Sequence, residues 1–173
     1  TATLQDNEPR KPAVRVTVAR TGAADETTLK AAFERVIAAG KDSTITVIDS
    51  GEYVEASVTS KGWSGFTITL VAGKGHTPTL VAGISGRNEQ IFELVTPGQS
   101  LMVRGFRIEN RSALELPNPG DGGYVATANQ DGGSASIVFQ DCLFLGGGRY
   151  GTFAVNEAGK RNGKGEDTTF KFE

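Results

Sequence analysis

The sequence has few of the residues that build disulfides, metal sites and thiol chemistry. Its 173 residues include one Cys, one His, one Met and one Trp. The single cysteine, Cys142, excludes an internal disulfide, and its apolar neighbours are typical of a buried free thiol. The single histidine, His76, lies in the turn GKGHT without a second His or Cys nearby. A turn residue is therefore favoured there over a metal ligand or a general base.

Long apolar runs and an excess of one charge are also absent. The net charge is −2 and charges of both signs are interspersed, so nucleic acid is not an expected partner. No apolar run reaches the length of a membrane span, so membrane insertion is not expected either. The chain starts at Thr1 without Met and stops in the strand-like TTFKFE. We expect a piece of a larger bacterial protein, truncated at its C-terminal end, that is secreted or displayed at the cell surface.

Glycine is abundant, with 23 residues, and fits a fold with many tight turns. Residues 1–12 are polar and contain two prolines, which predicts a disordered lead or linker before a single domain at residues 13–173. One helix is predicted at Glu26–Ala39, with Asp25 or Thr27 as N-cap and Gly40 as its end. Its apolar face is formed by Leu29, Ala32, Phe33, Val36 and Ile37.

Elsewhere the chain alternates apolar and polar residues over short stretches, which predicts strands. These are Val14–Ala19, Ser43–Asp49, Tyr53–Val58, Gly65–Ala72, Pro78–Ile84, Gln90–Val95, Ser100–Asn110, Tyr124–Asn129, Ala135–Gly147, Thr152–Asn156 and the terminal TTFKFE. Equivalent positions are predicted at Val47, Leu70, Val103, Phe139 and Phe172, spaced by 23, 33, 36 and 33 residues. Repeats of this length indicate a solenoid.

The predicted fold is all-β, a right-handed parallel β-helix whose open N-terminal end is covered by the amphipathic helix. A β-sandwich is the main rival, since it also has many short strands. It is less favoured because no Asn-Gly turn joins two predicted strands; the one Asn-Gly, at Asn162, lies in a charged loop.

Three phrases carry a resemblance to a known family. They are AAFERVIAAGKDSTITVIDSGEYVE, VRGFRIEN and FQDCLFLGG. Together they resemble the pectin-lyase-like family of right-handed parallel β-helices, from Val14 to the end of the chain. The resemblance implies the fold, but enzymes and non-enzymes share it. FQDCLFLGG is also locally similar to pectin esterases, although GGGRYG (Gly146–Gly151) has no acid where their catalytic Asp would stand.

Three aspartates are weak candidates for catalysis: Asp121, Asp131 and Asp141. Paired carboxylates about 5 to 10 Å apart hydrolyse glycosides, and several acids with loop carbonyls can hold Ca²⁺. The simpler interpretation is that Asp121 and Asp131 precede glycines in ordinary turns. We therefore expect no cofactor, with Ca²⁺ as the alternative.

A second group of residues is suited to ligand binding. Arginine forks match the carboxylates of acidic sugars, and exposed aromatic rings stack on sugar faces. The candidates are Trp63, Arg104, Arg107, Tyr124, Arg149 and Tyr150. Arg104 and Arg107 are an odd number of residues apart, on either side of a predicted corner, so a shared face is not expected for them.

The preferred functional hypothesis is a non-catalytic module that binds a glycan or a protein partner, or acts as a scaffold. The alternative is a polysaccharide-active enzyme of the pectate lyase, glycoside hydrolase or pectin esterase type, with one of the aspartates acting beside an arginine. A third hypothesis is a fragment without independent function.

Overall fold

The structure, a computed structural model, describes residues 13–59, 62–82, 90–111, 124–129, 135–146, 153–156 and 169–172. Of these, residues 124, 126–129, 153–156 and 169–172 are described by their backbone alone. The predicted lead at 1–12 lies outside the described residues. The elements in chain order are β1 (Val14–Val18), α1 (Leu29–Ala39), β2 (Ser43–Val47), β3 (Glu52–Tyr53), β4 (Thr67–Ala72), β5 (Thr79–Ala82), β6 (Gln90–Leu94), β7 (Ser100–Arg104), β8 (Arg107–Asn110), β9 (Tyr124–Asn129), β10 (Ser136–Gln140), β11 (Leu143–Gly146), β12 (Phe153–Asn156) and β13 (Thr169–Phe172).

The strands form three parallel sheets. The six-stranded sheet has the order β1-β2-β4-β7-β10-β13, the four-stranded sheet β3-β5-β8-β11, and the three-stranded sheet β6-β9-β12. From β4 the chain visits these three sheets in the same order three times, and then returns to the six-stranded sheet at β13. The prediction of a mostly β domain is confirmed. Every strand pair in the described part of the chain is parallel, unlike the antiparallel pairs of a β-sandwich.

Buried side chains in the six-stranded sheet lie in register from strand to strand. Ile45 pairs with Leu70, Leu70 with Val103, and Val103 with Phe139, and all four are at most 1% exposed. The predicted equivalence of Leu70, Val103 and Phe139 is confirmed. The prediction that Val47 belongs to the same set was wrong, because Val47 pairs with Ala72. A shift of two residues leaves the same side chains facing the core, so the apolar pattern does not detect it.

The helix begins later than predicted. Its N-cap is Thr28, whose side chain accepts a hydrogen bond from the Ala31 N–H at 3.2 Å. Asp25 and Thr27 are therefore not the cap, and Glu26 instead forms a bridge with Val18 of β1. The predicted end is confirmed, since Gly40 has φ of 63° and donates its N–H to the Ile37 carbonyl.

A distant carboxylate completes the start of the helix. Glu55 accepts from the Leu29 N–H at 3.0 Å and from the Lys30 N–H at 2.9 Å. Because the first N–H groups of a helix have no partner within it, this contact fixes α1 to the segment after β3. The strand in this segment is shorter than predicted, since β3 has only two residues. Val58, which was predicted to end the strand, instead donates its N–H to the Ile91 carbonyl of β6.

Side chains from the helix and from all three sheets form one hydrophobic core. Phe33 of α1 lies 6.4 Å from Phe92 of β6, measured between ring centroids, and Phe92 lies 6.3 Å from Phe139 of β10. Phe139 is in turn 5.2 Å from Phe144 of β11, in an edge-on arrangement. These contacts connect the helix to β10 and β11 through the interior, at distances that favour aromatic pairing.

Phe92→Ala is expected to destabilise the protein strongly, because Phe92 is fully buried and contacts a ring on either side. The expected loss in free energy of unfolding is about 3–5 kcal/mol. Chemical denaturation measures it, with Val54→Ala as control, since Val54 is 47% exposed and its truncation should change stability by about 0.5 kcal/mol or less. Equal losses for the two variants would contradict this account of the core.

Candidate functional site

The outer face of the six-stranded sheet carries hydroxyl groups in rows. The register aligns Thr67, Ser100 and Ser136 on three neighbouring strands, and the Thr67 hydroxyl donates to the Ser100 hydroxyl at 3.3 Å. The backbone of Thr169 continues the row on β13. Thr44 and Thr69 are aligned in the next row, and both are only partly buried. Met102 and Val138 continue this second row on β7 and β10. The face therefore has hydroxyl groups on β4, β7 and β10 in the first row, and on β2 and β4 in the second.

The charges on the strands of this sheet all have one sign. Its six strands contain Arg15, Arg104 and Lys171, and no Asp or Glu. Arg15 and Arg104 are exposed. With neighbouring strands about 4.8 Å apart, the strand of Arg104 lies about 14 Å from that of Arg15 and about 10 Å from that of Lys171. We call these three strand positions, of which Lys171 is described by its backbone alone, the cationic strip; the net charge of the whole chain is −2.

Arg104 ends β7 beside the corner that contains Asp141. Its Nε lies 4.0 Å from the Asp141 Oδ2, with side chains 55% and 73% exposed, so the pair contributes little to stability. Asp141 has φ of 53° and follows Gln140, the register partner of Arg104; Gly105, with φ of 79°, follows Arg104. Asp tolerates this left-handed conformation better than most residues. The structure therefore brings together one candidate acid and one candidate arginine at the surface.

Arg107 lies on another surface, the outer face of the four-stranded sheet. It begins β8, after the Gly105 corner, so the expectation that it does not share a face with Arg104 is confirmed. Its Nε donates to Glu109, which also accepts from Arg111 Nε at 2.7 Å. Arg111 in turn donates from Nη2 to Glu52 Oε1 of β3 at 2.6 Å. We call these four residues the ion-pair network.

The ion-pair network holds Glu52, Glu109 and Arg111 in their charged forms. Hydrogen bonds from Arg111 lower the pKa of Glu52, and hydrogen bonds from Arg107 and Arg111 lower that of Glu109. The same contacts, with Glu52 the stronger partner, raise the pKa of Arg111. The guanidinium of Arg111 is occupied on both sides by carboxylates, so this network links strands across the sheet and is poorly suited to an external anion.

Trp63 is buried, which contradicts its predicted role as a surface ring that stacks on sugars. It is 4% exposed and belongs to the hydrophobic core. Its neighbours Gly62 and Ser64 read as turn residues, which is why the sequence suggested exposure. The backbone of Tyr124 begins β9, but its side chain is outside the described part of the structure. Arg149 and Tyr150, as well as Asp121 and Asp131, also lie outside the described residues.

A partly buried corner near the helix contains a carboxylate, Asp49, that was not among the residues predicted for a site. Asp49 accepts from the Arg20 N–H at 2.6 Å, the Tyr53 hydroxyl at 2.8 Å and the Gly51 N–H at 3.1 Å. Burial alone would raise the pKa of Asp49, but these hydrogen bonds outweigh it and hold the pKa below its ordinary value. The pKa of Tyr53 is raised, by burial first and then by its bond to Asp49. The three bonds join β1, β2 and β3 at this corner.

Cys142 and His76 are the remaining candidates for chemistry among the described residues. Burial raises the pKa of Cys142, whose Sγ lies 3.5 Å from the Val103 carbonyl oxygen. His76 is exposed in its turn, as the sequence suggested. No group of three or more His, Cys, Asp or Glu side chains suited to a metal ion occurs in the part of the chain that the structure describes. Within the same residues, no helix has the length and apolar character that crossing a bilayer requires.

Comparison of the chain with protein-family models, curated proteins and solved structures finds no match. Function is therefore inferred from the geometry of the chain itself.

Asp49→Asn is expected to remove stability in a pH-dependent manner. Because the pKa of Asp49 is lower in the folded than in the unfolded chain, its contribution is present above the unfolded value of about 3.9 and is lost as the pH falls through the lowered folded value. At pH 7 the loss should be about 1 kcal/mol, since the side chain is only partly buried.

Denaturation at pH 7 and at pH 3 measures the difference between the wild type and Asp49→Asn. It should shrink at the lower pH, and Tyr53→Phe, which removes one of the three donors, should give a smaller effect at pH 7. A difference that grows on acidification would contradict the account of this corner.

Proposed function

We propose that the chain is a non-catalytic binding module built on a right-handed parallel β-helix, and that it binds an acidic polysaccharide along the outer face of its six-stranded sheet. The observation that carries the proposal is the combination of aligned hydroxyl groups with charges of only positive sign on that sheet.

The β-helix is supported by the order in which the chain visits the sheets. A coil of such a solenoid places one strand in each of three parallel sheets and then starts again. Here β4-β5-β6, β7-β8-β9 and β10-β11-β12 follow that order, and each strand pairs with its equivalent in the next coil. The helix α1 packs through Phe33 against the interior beside the first coils, as a cap would. The same architecture agrees with the proposed likeness to the pectin-lyase-like family.

The ligand class follows from the chemistry of the face. An extended polysaccharide that crosses the strands advances by roughly one sugar unit per strand, so successive sugars meet equivalent rows of the sheet. Hydroxyl groups donate to and accept from sugar hydroxyls, whereas arginines bind sugar carboxylates through charge-assisted hydrogen bonds. Cations on three of six strands, with no acid on any of them, complement a polymer that has one carboxylate per unit or per few units.

Arg104 is the residue that we expect to contribute most. It lies on an inner strand of the sheet, between the strands of Arg15 and Lys171. Its contact with Asp141 is long and exposed, so its guanidinium can bind a carboxylate without first breaking a strong ion pair. In this respect Arg104 differs from Arg107 and Arg111, which are held by Glu109 and Glu52.

Arg104→Gln is expected to weaken binding of polygalacturonate about fivefold, because an exposed charge-assisted contact is worth about 1 kcal/mol. Arg107→Gln is the matched control, since its side chain is similarly exposed but lies on the four-stranded sheet. Isothermal titration calorimetry in low and high salt measures both, and the wild-type affinity should fall in high salt. Equal effects of the two substitutions, or tighter binding of a neutral glucan, would contradict the proposal.

The second candidate function is a polysaccharide-active enzyme, favoured by one observation. Asp141 and Arg104 lie together at the surface, and an acid beside an arginine is the pair that the enzymatic hypothesis requires. The carboxylate of Asp141 is 73% exposed and is therefore within reach of a bound polymer. In a binding module the same carboxylate only repels an acidic ligand.

Asp141→Asn separates the two functions. Asn also tolerates the left-handed backbone at this corner, so the fold is retained while the charge is removed. For a binding module, affinity for polygalacturonate should rise by up to about twofold, because an exposed like charge near the ligand is worth a few tenths of a kcal/mol. For an enzyme, release of reducing or unsaturated sugar ends should be detectable in the wild type and should disappear in the variant. Such turnover would replace the binding-module proposal.

A further inference from the structure

Two hydrogen-bond donors in the core have no acceptor among the described residues. They are Nε1 of Trp63 and Nε2 of Gln99, whose residues are 4% and 1% exposed. Most buried polar groups in folded proteins are hydrogen-bonded, either to protein or to internal water. Each of these two buried donors therefore calls for an acceptor, of which internal water is the commonest kind outside the protein itself.

The orientation of the Gln99 amide is fixed by its other contacts. Its Oε1 accepts from the Val95 N–H and from the Thr96 N–H, each at 2.6 Å. Only the oxygen of an amide accepts hydrogen bonds from two N–H groups, so the free end is the NH₂ group. If the amide were rotated by half a turn, its NH₂ group would face the N–H groups of Val95 and Thr96, and no acceptor would remain for them.

The two residues belong to adjacent backbone segments at one corner, which leads into the six-stranded sheet on two consecutive coils. β4 and β7 start in register at Thr67 and Ser100, so the residues before them, 62–66 and 95–99, also lie side by side. A Cβ on Gly62 would lie 1.9 Å from the Thr96 Oγ1, and one on Gly98 would lie 3.5 Å from the Ser64 Cβ. The Gln99 amide reaches back to Thr96, which is next to the Gly62–Trp63 segment.

We propose that this corner binds one internal water molecule, which accepts hydrogen bonds from Trp63 Nε1 and Gln99 Nε2. Water matches the site because it has two acceptor positions for the two donors and can donate its own hydrogens to nearby carbonyl groups. A halide ion also accepts from two donors. It is less suited, because neither Trp63 nor Gln99 supplies the opposite charge that a buried ion requires.

Trp63 is the only tryptophan, so its indole proton gives a single resolved signal in NMR spectra. We expect a cross-relaxation signal between that proton and a long-lived water molecule. It should persist in Thr96→Val, a control that removes the nearest hydroxyl able to imitate water through proton exchange. Its absence from the wild type, or its loss in Thr96→Val, would overturn the proposal. A shift of the indole signal with chloride concentration would indicate an ion instead, and would also overturn it.

A second measurement uses the sign of a stability change. Replacement of Trp63 by 3-benzothienylalanine keeps the shape of the ring system and removes only the N–H group. If water accepts from that group, the thermal midpoint should fall by about 2–4 °C. If the donor is without any acceptor, its removal should leave the midpoint unchanged or raise it, and this result would contradict the bound water.

Discussion

The parallel register between neighbouring strands of the six-stranded sheet is the constraint on which the other features depend. It stacks Ile45, Leu70, Val103 and Phe139 in one buried row. Because side chains alternate between the two faces, the same register also fixes the outer rows of hydroxyl groups and the position of Arg104. A shift of one residue would place the apolar row in solvent, so the core strongly selects the register that builds the candidate surface.

Carboxylates accept hydrogen bonds from backbone N–H groups in the amino-terminal part of the fold. Asp25 accepts from the backbone N–H of Thr17 at 2.8 Å, on β1, the first strand of the sheet. Hydrogen bonds from the backbone and hydroxyl of Thr17 lower the pKa of Asp25. Glu55 likewise accepts hydrogen bonds from backbone N–H groups at the start of α1. Asp49 accepts from backbone N–H groups at the corner before β3. Unpaired strand edges and helix N–H groups invite other chains or water, and here side chains satisfy them locally.

The apolar pattern predicted elements better than their boundaries. The buried face of α1 was identified because Leu29, Phe33 and Val36 follow the helical period. The N-cap was not, since Asp25, Thr27 and Thr28 all suit that position and the choice is made by tertiary contacts of Asp25 with β1. The equivalence of Val47 failed for a similar reason, because alternation has a period of two and allows a shift by two.

The candidate surface was predictable only in part, because alternation indicates that a side chain faces outward but not which sheet bears it. Arg104 and Arg107 were both candidates on either side of a predicted corner, and Gly105 turns the chain between them and assigns them to different sheets. On one sheet Arg107 is held by Glu109, whereas on the other Arg104 has, among the residues that the structure describes, only the distant Asp141. The pairing of each arginine, which depends on residues far away in the chain, decides which of the two is the better candidate for the proposed ligand. The proposed binding is therefore a property of the assembled sheet, and the cationic strip exists only when the strands of Arg15, Arg104 and Lys171 are brought into one sheet.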